Sequence, residues 1–155
     1  MSEVIYSDRK GLVLFEEKVV DNLNRWRQFG NQTEAGGILI GYRRPPHIHV
    51  VCCTTPFAKD RRSQFSFLRC DPKHGLIARH NWEKTNGQAY YLGEWHTHPV
   101  GNPSASSVDL GEWKKLINSR LGPRLLFVIV GRSQWYVQLE NISLTTHSCE
   151  PNSAG

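Results

Sequence analysis

The spacing of apolar residues along the first third of the chain predicts a strand, a helix and a β-hairpin. An apolar run at 11–15 precedes a segment, up to residue 30, in which apolar residues recur three or four positions apart, as on the buried face of a helix. Apolar, β-branched runs at 36–43 and 47–55 flank Pro45-Pro46 and predict a hairpin. The residues at helical spacing are Val19, Val20, Leu23 and Trp26.

The rest of the chain continues the alternation of strands and helices. A charged loop at 56–62 precedes an alternating strand at 63–69, and Asp71 followed by Pro72 is a typical start for a helix that runs toward residue 85. The pattern predicts a mixed α/β (α+β) fold in which a mixed sheet is flanked by helices. The remaining predicted elements are strands at 88–98, 124–131 and 134–140 and a helix at 106–120.

Length and composition are typical of one globular domain. The chain has 155 residues, of which 39% are hydrophobic and 21% charged, and we expect a single domain over residues 1–148 with a loose tail at 149–155. No apolar run approaches the roughly 20 residues that span a bilayer. Glu3 and Asp8, with only a short apolar run after them, argue against a secretory signal, so a cytoplasmic protein without a membrane partner is expected.

The net charge of +5 raises the question of nucleic-acid binding. The basic residues lie in short, scattered clusters and form neither a long basic run nor an aromatic-basic RNA-binding signature. Nucleic acid is therefore disfavoured as a partner, and we interpret the basic residues as a solvated surface that would favour an acidic protein partner. In the loop at 56–62, Lys59, Arg61 and Arg62 are the candidates for contact with acidic groups, and a simple solvated loop is the alternative.

Four cysteines are present, but their spacing is not that of a zinc site. Cys52 and Cys53 are neighbours whose side chains point to opposite faces of a strand, so they would not chelate one ion together. We interpret these two, together with Cys70 and Cys149, as small apolar residues in a reducing compartment. A structural metal or a disulfide is the alternative.

The candidate chemistry lies at the end of the strand predicted at 88–98. His96 and His98 are two positions apart, and alternate residues of a strand face the same side, so both imidazoles are presented to one point. Pro99 then ends the strand. Asp109, in the first turn of the next helix, can add a carboxylate, which would complete an open zinc site whose fourth position holds water. Zinc lowers the pKa of that water toward about 7 and so supplies hydroxide at neutral pH.

Each part of this pattern also has an interpretation without catalysis. His47 and His49 repeat the His-x-His spacing, but no carboxylate follows at a useful distance, so we interpret them as strand-surface histidines. Ser106 and Asp109 are also spaced as a helix N-cap with an acidic residue three positions later, close to a capping box. A cap alone would account for both residues.

Taken together, these residues carry a resemblance to a known family. The segment EWHTHPVGNPSASSVDL resembles the signature of the JAMM (MPN-plus, JAB-domain) metalloproteases, in which H-x-H-P is followed by S-x-x-D. His96, His98, Ser106 and Asp109 all fall on that signature in register. Glu34, in NQTEAGGILIGY, stands where the family has an acidic residue before a glycine-containing apolar strand, and the resemblance extends over about residues 10–140.

The resemblance implies a fold, a reaction and a set of roles. The family has a barrel-like, curved mixed sheet with helices on both sides, the cytidine-deaminase-like fold. Its catalytic members hydrolyse isopeptide or peptide bonds, commonly after the C-terminal glycine of ubiquitin or a ubiquitin-like protein. By position, one zinc ion would be bound by His96, His98 and Asp109. Glu34 would be the general base, and Ser106 would hydrogen-bond the oxyanion. All five groups are present, which favours an enzyme over an inactive scaffold.

The compact motif is most similar to that of the stand-alone bacterial branch of the family. Those proteins are often encoded beside E1-like and E2-like enzymes in antiphage operons, some of which contain a cyclic-oligonucleotide synthase. The resemblance therefore implies deconjugation or precursor processing of a ubiquitin-like protein, with such a synthase or an E1-like or E2-like enzyme as a candidate partner. The alternatives are a non-catalytic interaction module of the same fold and a peptidase that acts on a sulfur-carrier protein or a small peptide.

Overall fold

Eleven strands and three helices form the described part of the chain, which in this computed structural model comprises residues 4–7, 11–119 and 122–146. The tail predicted at 149–155 lies outside these residues. The helices are α1 (Glu17–Arg25), α2 (Lys73–Lys84) and α3 (Ser107–Asn118). The strands are β1 (Val4–Ser7), β2 (Leu12–Phe15), β3 (Gly36–Arg44), β4 (His47–Cys53), β5 (Arg61–Ser63), β6 (Ser66–Leu68), β7 (Tyr90–Thr97), β8 (Leu126–Val130), β9 (Trp135–Leu139), β10 (Ile142–Ser143) and β11 (Thr145–Thr146).

Nine of these strands form one mixed sheet that curves into a nearly closed barrel. Their order is β10-β9-β8-β7-β3-β4-β2-β1-β11, with β2–β4 and β7–β8 parallel and the other pairs antiparallel. The segment 142–146 joins the two edges, because β10 pairs with β9 and β11 pairs with β1. The predicted mixed, barrel-like sheet flanked by helices is confirmed.

Apolar side chains pack on both faces of the curved sheet. On the inner face, the ring of Phe15 packs edge-on against Tyr6 and Trp135. On the outer face, Trp113 of α3 stacks on Phe127 of β8 with 4.6 Å between ring centroids. Burial of both faces anchors α1 and α3 to the sheet, since each helix contributes fully or nearly fully buried side chains to one of these layers.

The first helix is shorter than its apolar spacing predicted. Helix α1 ends at Arg25, with Trp26 as its C-cap, and not near residue 30. Phe29 is 54% exposed, and Gly30 has a φ of 54°, which a helix does not accommodate. In the described part of the chain, no helix is long and apolar enough to cross a membrane.

The strand predicted at 63–69 is confirmed only over Ser66–Leu68, because a turn at 64–65 separates this strand from β5. Strands β5 and β6 pair as an antiparallel hairpin, with Gln64 and Phe65 forming the turn. The hydroxyl groups of Ser63 and Ser66 are 2.7 Å apart and hydrogen-bond across that turn. The alternating pattern therefore belongs to two short strands, which form the separate hairpin next to the sheet.

A β-bulge in β7 sets which face of the sheet the site occupies. In the pairing with β3, Leu39 lies opposite Gly93 and Ile40 opposite Tyr91, so that one extra residue, Leu92, is accommodated in β7. A Cβ on Gly93 would lie 1.7 Å from the carbonyl oxygen of Leu126, so only glycine fits at this close approach. Beyond the bulge, Trp95 packs in the inner core and its neighbour His96 faces outward toward α3.

Candidate metal centre

The predicted histidine pair lies at the end of an interior strand. His96 is within β7 and His98 follows the last residue of that strand. Strand β7 is paired on both sides, with β3 and with β8. At its end the amide of Thr97 donates to the carbonyl of Ala35, and the amide of His98 donates to the carbonyl of Val130. Both imidazoles therefore project from backbone that is hydrogen-bonded on both sides.

Asp109, in the first turn of α3, lies against both histidines. Its Oδ1 is 3.1 Å from Nε2 of His96, its Oδ2 is 3.3 Å from Nε2 of His98, and the two Nε2 atoms are 3.1 Å apart. The three side chains are between 14% and 19% exposed. The structure thus brings together the three side chains that the sequence predicts as ligands, in a half-buried position open on one side.

The spacing and chemistry of these donors fit a small divalent cation. Donor atoms of a tetrahedral zinc site are about 3.3 Å apart when the zinc–nitrogen distance is about 2.0–2.1 Å. The separations here are 3.1, 3.1 and 3.3 Å. Imidazole nitrogen with carboxylate oxygen is also a donor set that zinc prefers.

Glu34 lies beside this triangle of donors. Its Oε1 is 3.9 Å from Nε2 of His98, and its side chain is 5% exposed. The donor atoms of Glu34, His96 and His98 all lie within 4.8 Å of one another, so these three residues could also hold a metal ion. We favour Asp109 as the third ligand, because its oxygens are closer to both imidazoles than the Glu34 carboxylate is to His98.

The two carboxyl groups differ in protonation behaviour. Burial raises the pKa of Glu34 to about 7, with His98 acting to lower it and Asp109 to raise it. Burial also acts to raise the pKa of Asp109, but hydrogen bonds from His96 and His98 and from the backbone amide of Ser106 hold it well below its usual range. Asp109 is therefore a permanent carboxylate, while Glu34 can exchange a proton near neutral pH.

The N-terminal cap of α3 orients the Asp109 carboxylate. The amide of Asp109 donates to Oγ of Ser106 at 3.1 Å, and the amide of Ser106 donates to Oδ2 of Asp109 at 2.8 Å. The capping box predicted as the alternative to catalysis is confirmed. The two interpretations are compatible, because the cap uses Ser106 Oγ as an acceptor and leaves its hydroxyl hydrogen available for donation.

Groups that the sequence reasoning missed hold Glu34 in place. The amide of Glu34 donates to the carbonyl of Ser63 at 2.7 Å, and Nε of Arg62 donates to the carbonyl of Glu34 at 2.7 Å. Arg62 also donates to the carbonyl of Thr33 and lies over the ring of Trp26. The sequence assigned Arg62 to a partner contact, but its guanidinium is engaged within the protein. Its position in a charged loop gave no signal for this contact.

Comparison with known proteins identifies the family. A model of prokaryotic homologues of the JAB domain matches residues 16–145. The chain belongs to the prokaryotic JAB-domain family. A protein of Pseudomonas aeruginosa (strain BWHPSA011 / Pa011) named CD-NTase/cGAS isopeptidase is 36% identical, and the match covers 90% of this chain and 89% of that protein. A Vibrio cholerae protein of the same name is 33% identical, with 93% and 92% covered.

A solved structure gives the same result for the fold. The solution structure of a protein from Desulfitobacterium hafniense matches with a TM-score of 0.58 and 21% identity, covering 86% of this chain and 88% of that one. At this identity the likeness concerns the fold alone. It agrees with the curved sheet and flanking helices described above.

The second His-x-His pair lies elsewhere in this JAB domain. Nδ1 of His47 accepts from the amide of Leu12, and His49 lies 3.0 Å from Glu16. Both histidines pair with the far end of β3, opposite Tyr42 and the residues after it, whereas His96 pairs with the start of β3. His47 and His49 are therefore on the strand surface, as predicted.

Glu94 is engaged by another side chain, and the described cysteines form no disulfide. Glu94, on the same strand as His96, forms a 2.7 Å ion pair with Arg69. Among the described cysteines, Cys52, Cys53 and Cys70 are free thiols. Cys149 lies outside the described residues. Among the described cysteines there is therefore no disulfide, the alternative considered above, whereas Cys70 is exposed and is not a buried apolar residue.

Proposed function

We propose that this JAB-domain protein is a zinc-dependent isopeptidase of a bacterial ubiquitin-like conjugation system with an antiviral role. Its substrate would be a conjugate made through the C-terminal tail of a ubiquitin-like protein or of a CD-NTase, the cyclic-oligonucleotide synthase for which the relatives are named. The observation that carries the proposal is the convergence of His96, His98 and Asp109, with the buried carboxyl of Glu34 beside them.

Each residue of the centre has a role under this proposal. His96, His98 and Asp109 would hold the zinc ion, which when bound supplies a Lewis acid and an acidified water. Glu34 Oε1 would accept a proton from the attacking water and pass it to the leaving amine. The position of the Glu34 carboxyl beside the histidines suits it to this exchange. Ser106 would donate its hydroxyl hydrogen to the oxyanion that forms on the scissile carbonyl.

The hairpin β5–β6 offers an edge for an extended peptide. A tail cannot pair with β7, since β3 and β8 already occupy both of its sides. In the hairpin, β5 lies toward Glu34, whose amide donates to the carbonyl of Ser63, and β6 pairs with no other described strand than β5. A tail added to β6 would satisfy its backbone groups by β-addition. The ring of Phe67, on β6, lies against Gly36 next to the centre, which leaves little space for a large side chain there.

Cleavage of a folded conjugate with a small residue at the cleaved position tests this function. A CD-NTase or ubiquitin-like protein is fused through its own C-terminal tail to a reporter, and release is followed by intact-mass detection. We expect cleavage after the tail, and we expect replacement of the residue before the scissile bond by a bulky one to slow it strongly, because the backbone must approach the metal closely. Equal rates for the bulky tail, or equal cleavage of an unstructured peptide, would instead indicate a general peptidase.

Ser106→Gly should separate the catalytic contribution of Ser106 from its capping contribution. Glycine is tolerated at an N-cap with a loss of only a few tenths of a kcal/mol, so α3 should persist. Loss of one oxyanion donor should lower kcat by roughly 10²-fold. Ser107→Ala, which removes the neighbouring exposed hydroxyl, is the matched control and should keep the wild-type rate. Full activity of Ser106→Gly would restrict Ser106 to its role as a cap.

A further inference from the structure

A buried glutamine behind the centre contacts two of the segments that build it. Gln28 is 1% exposed and lies in the turn after α1. Its Oε1 accepts a hydrogen bond of 3.1 Å from the hydroxyl of Thr97, the residue between the two histidines. Its Nε2 donates to the carbonyl of Gln32 at 2.9 Å and to the carbonyl of Gln64, in the turn of the β5–β6 hairpin, at 2.6 Å.

Thr97 extends this contact to the segment that carries Glu34. Oγ1 of Thr97 accepts from the amide of Ala35 at 3.0 Å, and the amide of Thr97 donates to the carbonyl of Ala35 at 2.9 Å. Two hydrogen bonds therefore follow one another: the Ala35 amide donates to the Thr97 hydroxyl, and that hydroxyl donates to the side-chain oxygen of Gln28. Because Ala35 directly follows Glu34, these bonds join the strand of the histidines to the backbone of the carboxyl group beside them.

Gln28 also contacts the β5–β6 hairpin, which hydrogen-bonds to the backbone of Glu34. Ser63 and Arg62 of β5 make the backbone hydrogen bonds to Glu34 described above, and Gln64 comes next in the chain. Gln28 thus contacts the histidine strand through its oxygen and the hairpin through its nitrogen. One contact is therefore to the strand that carries the histidines, and the other is to the hairpin that hydrogen-bonds to Glu34.

No other residue type of similar size satisfies these partners. Two carbonyl oxygens need two donors, while the Thr97 hydroxyl, which already accepts from Ala35, needs an acceptor. A primary amide provides both, and reversing it would direct its oxygen at two carbonyls. Leucine would provide neither, and it would leave the buried hydroxyl and the carbonyl of Gln64 without partners.

We propose that Gln28 is a positioning residue, which fixes the Glu34 carboxyl relative to the histidine pair. It contacts no ligand atom of the centre and acts only through Thr97 and the hairpin. The kinetic part of this inference rests on the proposed isopeptidase function. The structural part rests on the hydrogen bonds alone and is measured on the metal-free protein.

Amide exchange of the metal-free protein tests the structural part. In Gln28→Leu and in Thr97→Val, exchange of the Ala35 amide should rise at least about tenfold, because the hydroxyl that accepts it is lost or released. Thr97→Ser, which keeps the hydroxyl, should restore protection. Gln28→Leu should also loosen the hairpin at 61–68, whereas Thr97→Val leaves the hairpin contacts of Gln28 in place. This difference separates the two halves of the network.

Metal affinity and kinetics test the functional part. Loss of partners outside the ligand shell commonly costs 10–100-fold in metal affinity or activity, and we expect a fall of that size in kcat for both variants. Only Gln28→Leu should also raise KM, because it frees the hairpin. Gln138→Leu is the matched control, since Gln138 is also buried, at 5% exposed, and bonds to Tyr136 and Glu140 on β9 and just beyond it. It should retain the wild-type kcat.

The possible outcomes separate this inference from the proposed function. Wild-type exchange at Ala35 in both variants, or a kcat for Gln28→Leu equal to that of Gln138→Leu, would overturn the positioning role. If Gln28→Leu does not fold, Thr97→Val and its rescue by Thr97→Ser decide the question. If the wild-type protein cleaves no conjugate but the variants change exchange at Ala35 and zinc affinity, the positioning role holds and the isopeptidase proposal fails.

Discussion

Glu34→Gln should remove hydrolysis while the protein keeps its zinc and its fold. The substitution keeps the shape of the side chain but removes its ability to carry a proton. General acid–base catalysis by a positioned side chain contributes about 10²–10⁴-fold, and we expect kcat to fall by that amount. Zinc should remain bound, because Oε1 of Glu34 is 3.9 Å from Nε2 of His98, whereas the Asp109 oxygens are 3.1 and 3.3 Å from the two histidine nitrogens. Product release by intact mass and metal analysis of the same preparation measure both effects.

Glu94→Gln is the matched control for this variant. Glu94 is also a partly buried acid, on the strand that carries His96, but Arg69 pairs with it at 2.7 Å. Its loss should lower stability and leave most of the rate. If Glu34→Gln keeps most of the wild-type rate, Glu34 is not the general base. If Glu34→Gln instead releases the zinc, Glu34 is a ligand. The donor atoms of Glu34, His96 and His98 lie within 4.8 Å of one another, which permits that arrangement.

The sequence predicted most helices and strands because their apolar residues recur with a clear helical or strand periodicity. The hairpin of β3 and β4, the helix starting after Ser106 and the mixed sheet all follow from apolar spacing, turn residues and a capping signature. The incorrect predictions concern segments whose conformation is determined by tertiary contacts. Residues 26–30 leave the helix, with Gln28 buried and Phe29 exposed, and residues 63–69 contain the end of β5, a turn and β6.

The convergence of the centre was predictable only in part from the sequence. The face shared by His96 and His98 follows from strand geometry, and the first-turn position of Asp109 follows from its capping spacing. The bulge that directs His96 outward while Trp95 remains in the core is not visible in the sequence, because it depends on pairing with β3. The assignment of Glu34 came from the family resemblance, since an isolated glutamate before a strand carries no signal of its own.

Replacing one of the proposed zinc ligands should release the metal, which is the largest effect that we expect of any substitution in the centre. The wild-type protein should bind close to one zinc ion per chain, because two imidazoles and a carboxylate converge at separations of 3.1–3.3 Å. Removing an outer partner of a metal site costs about 10–100-fold in affinity, and removing a ligand should cost considerably more. His96→Ala and Asp109→Ala should therefore be isolated without stoichiometric metal.

Two features of the structure make this prediction specific to the proposed ligands. His47→Ala and His49→Ala remove the second His-x-His pair, which lies at the far end of β3, and these variants should retain zinc. Asp109→Asn keeps an acceptor for the Ser106 amide and so preserves α3, but it removes the carboxylate charge and should still weaken zinc binding. The measurement is metal analysis after dialysis, with circular dichroism to verify the fold. A well-folded wild-type preparation that contains no zinc and takes up none when it is added would refute the site.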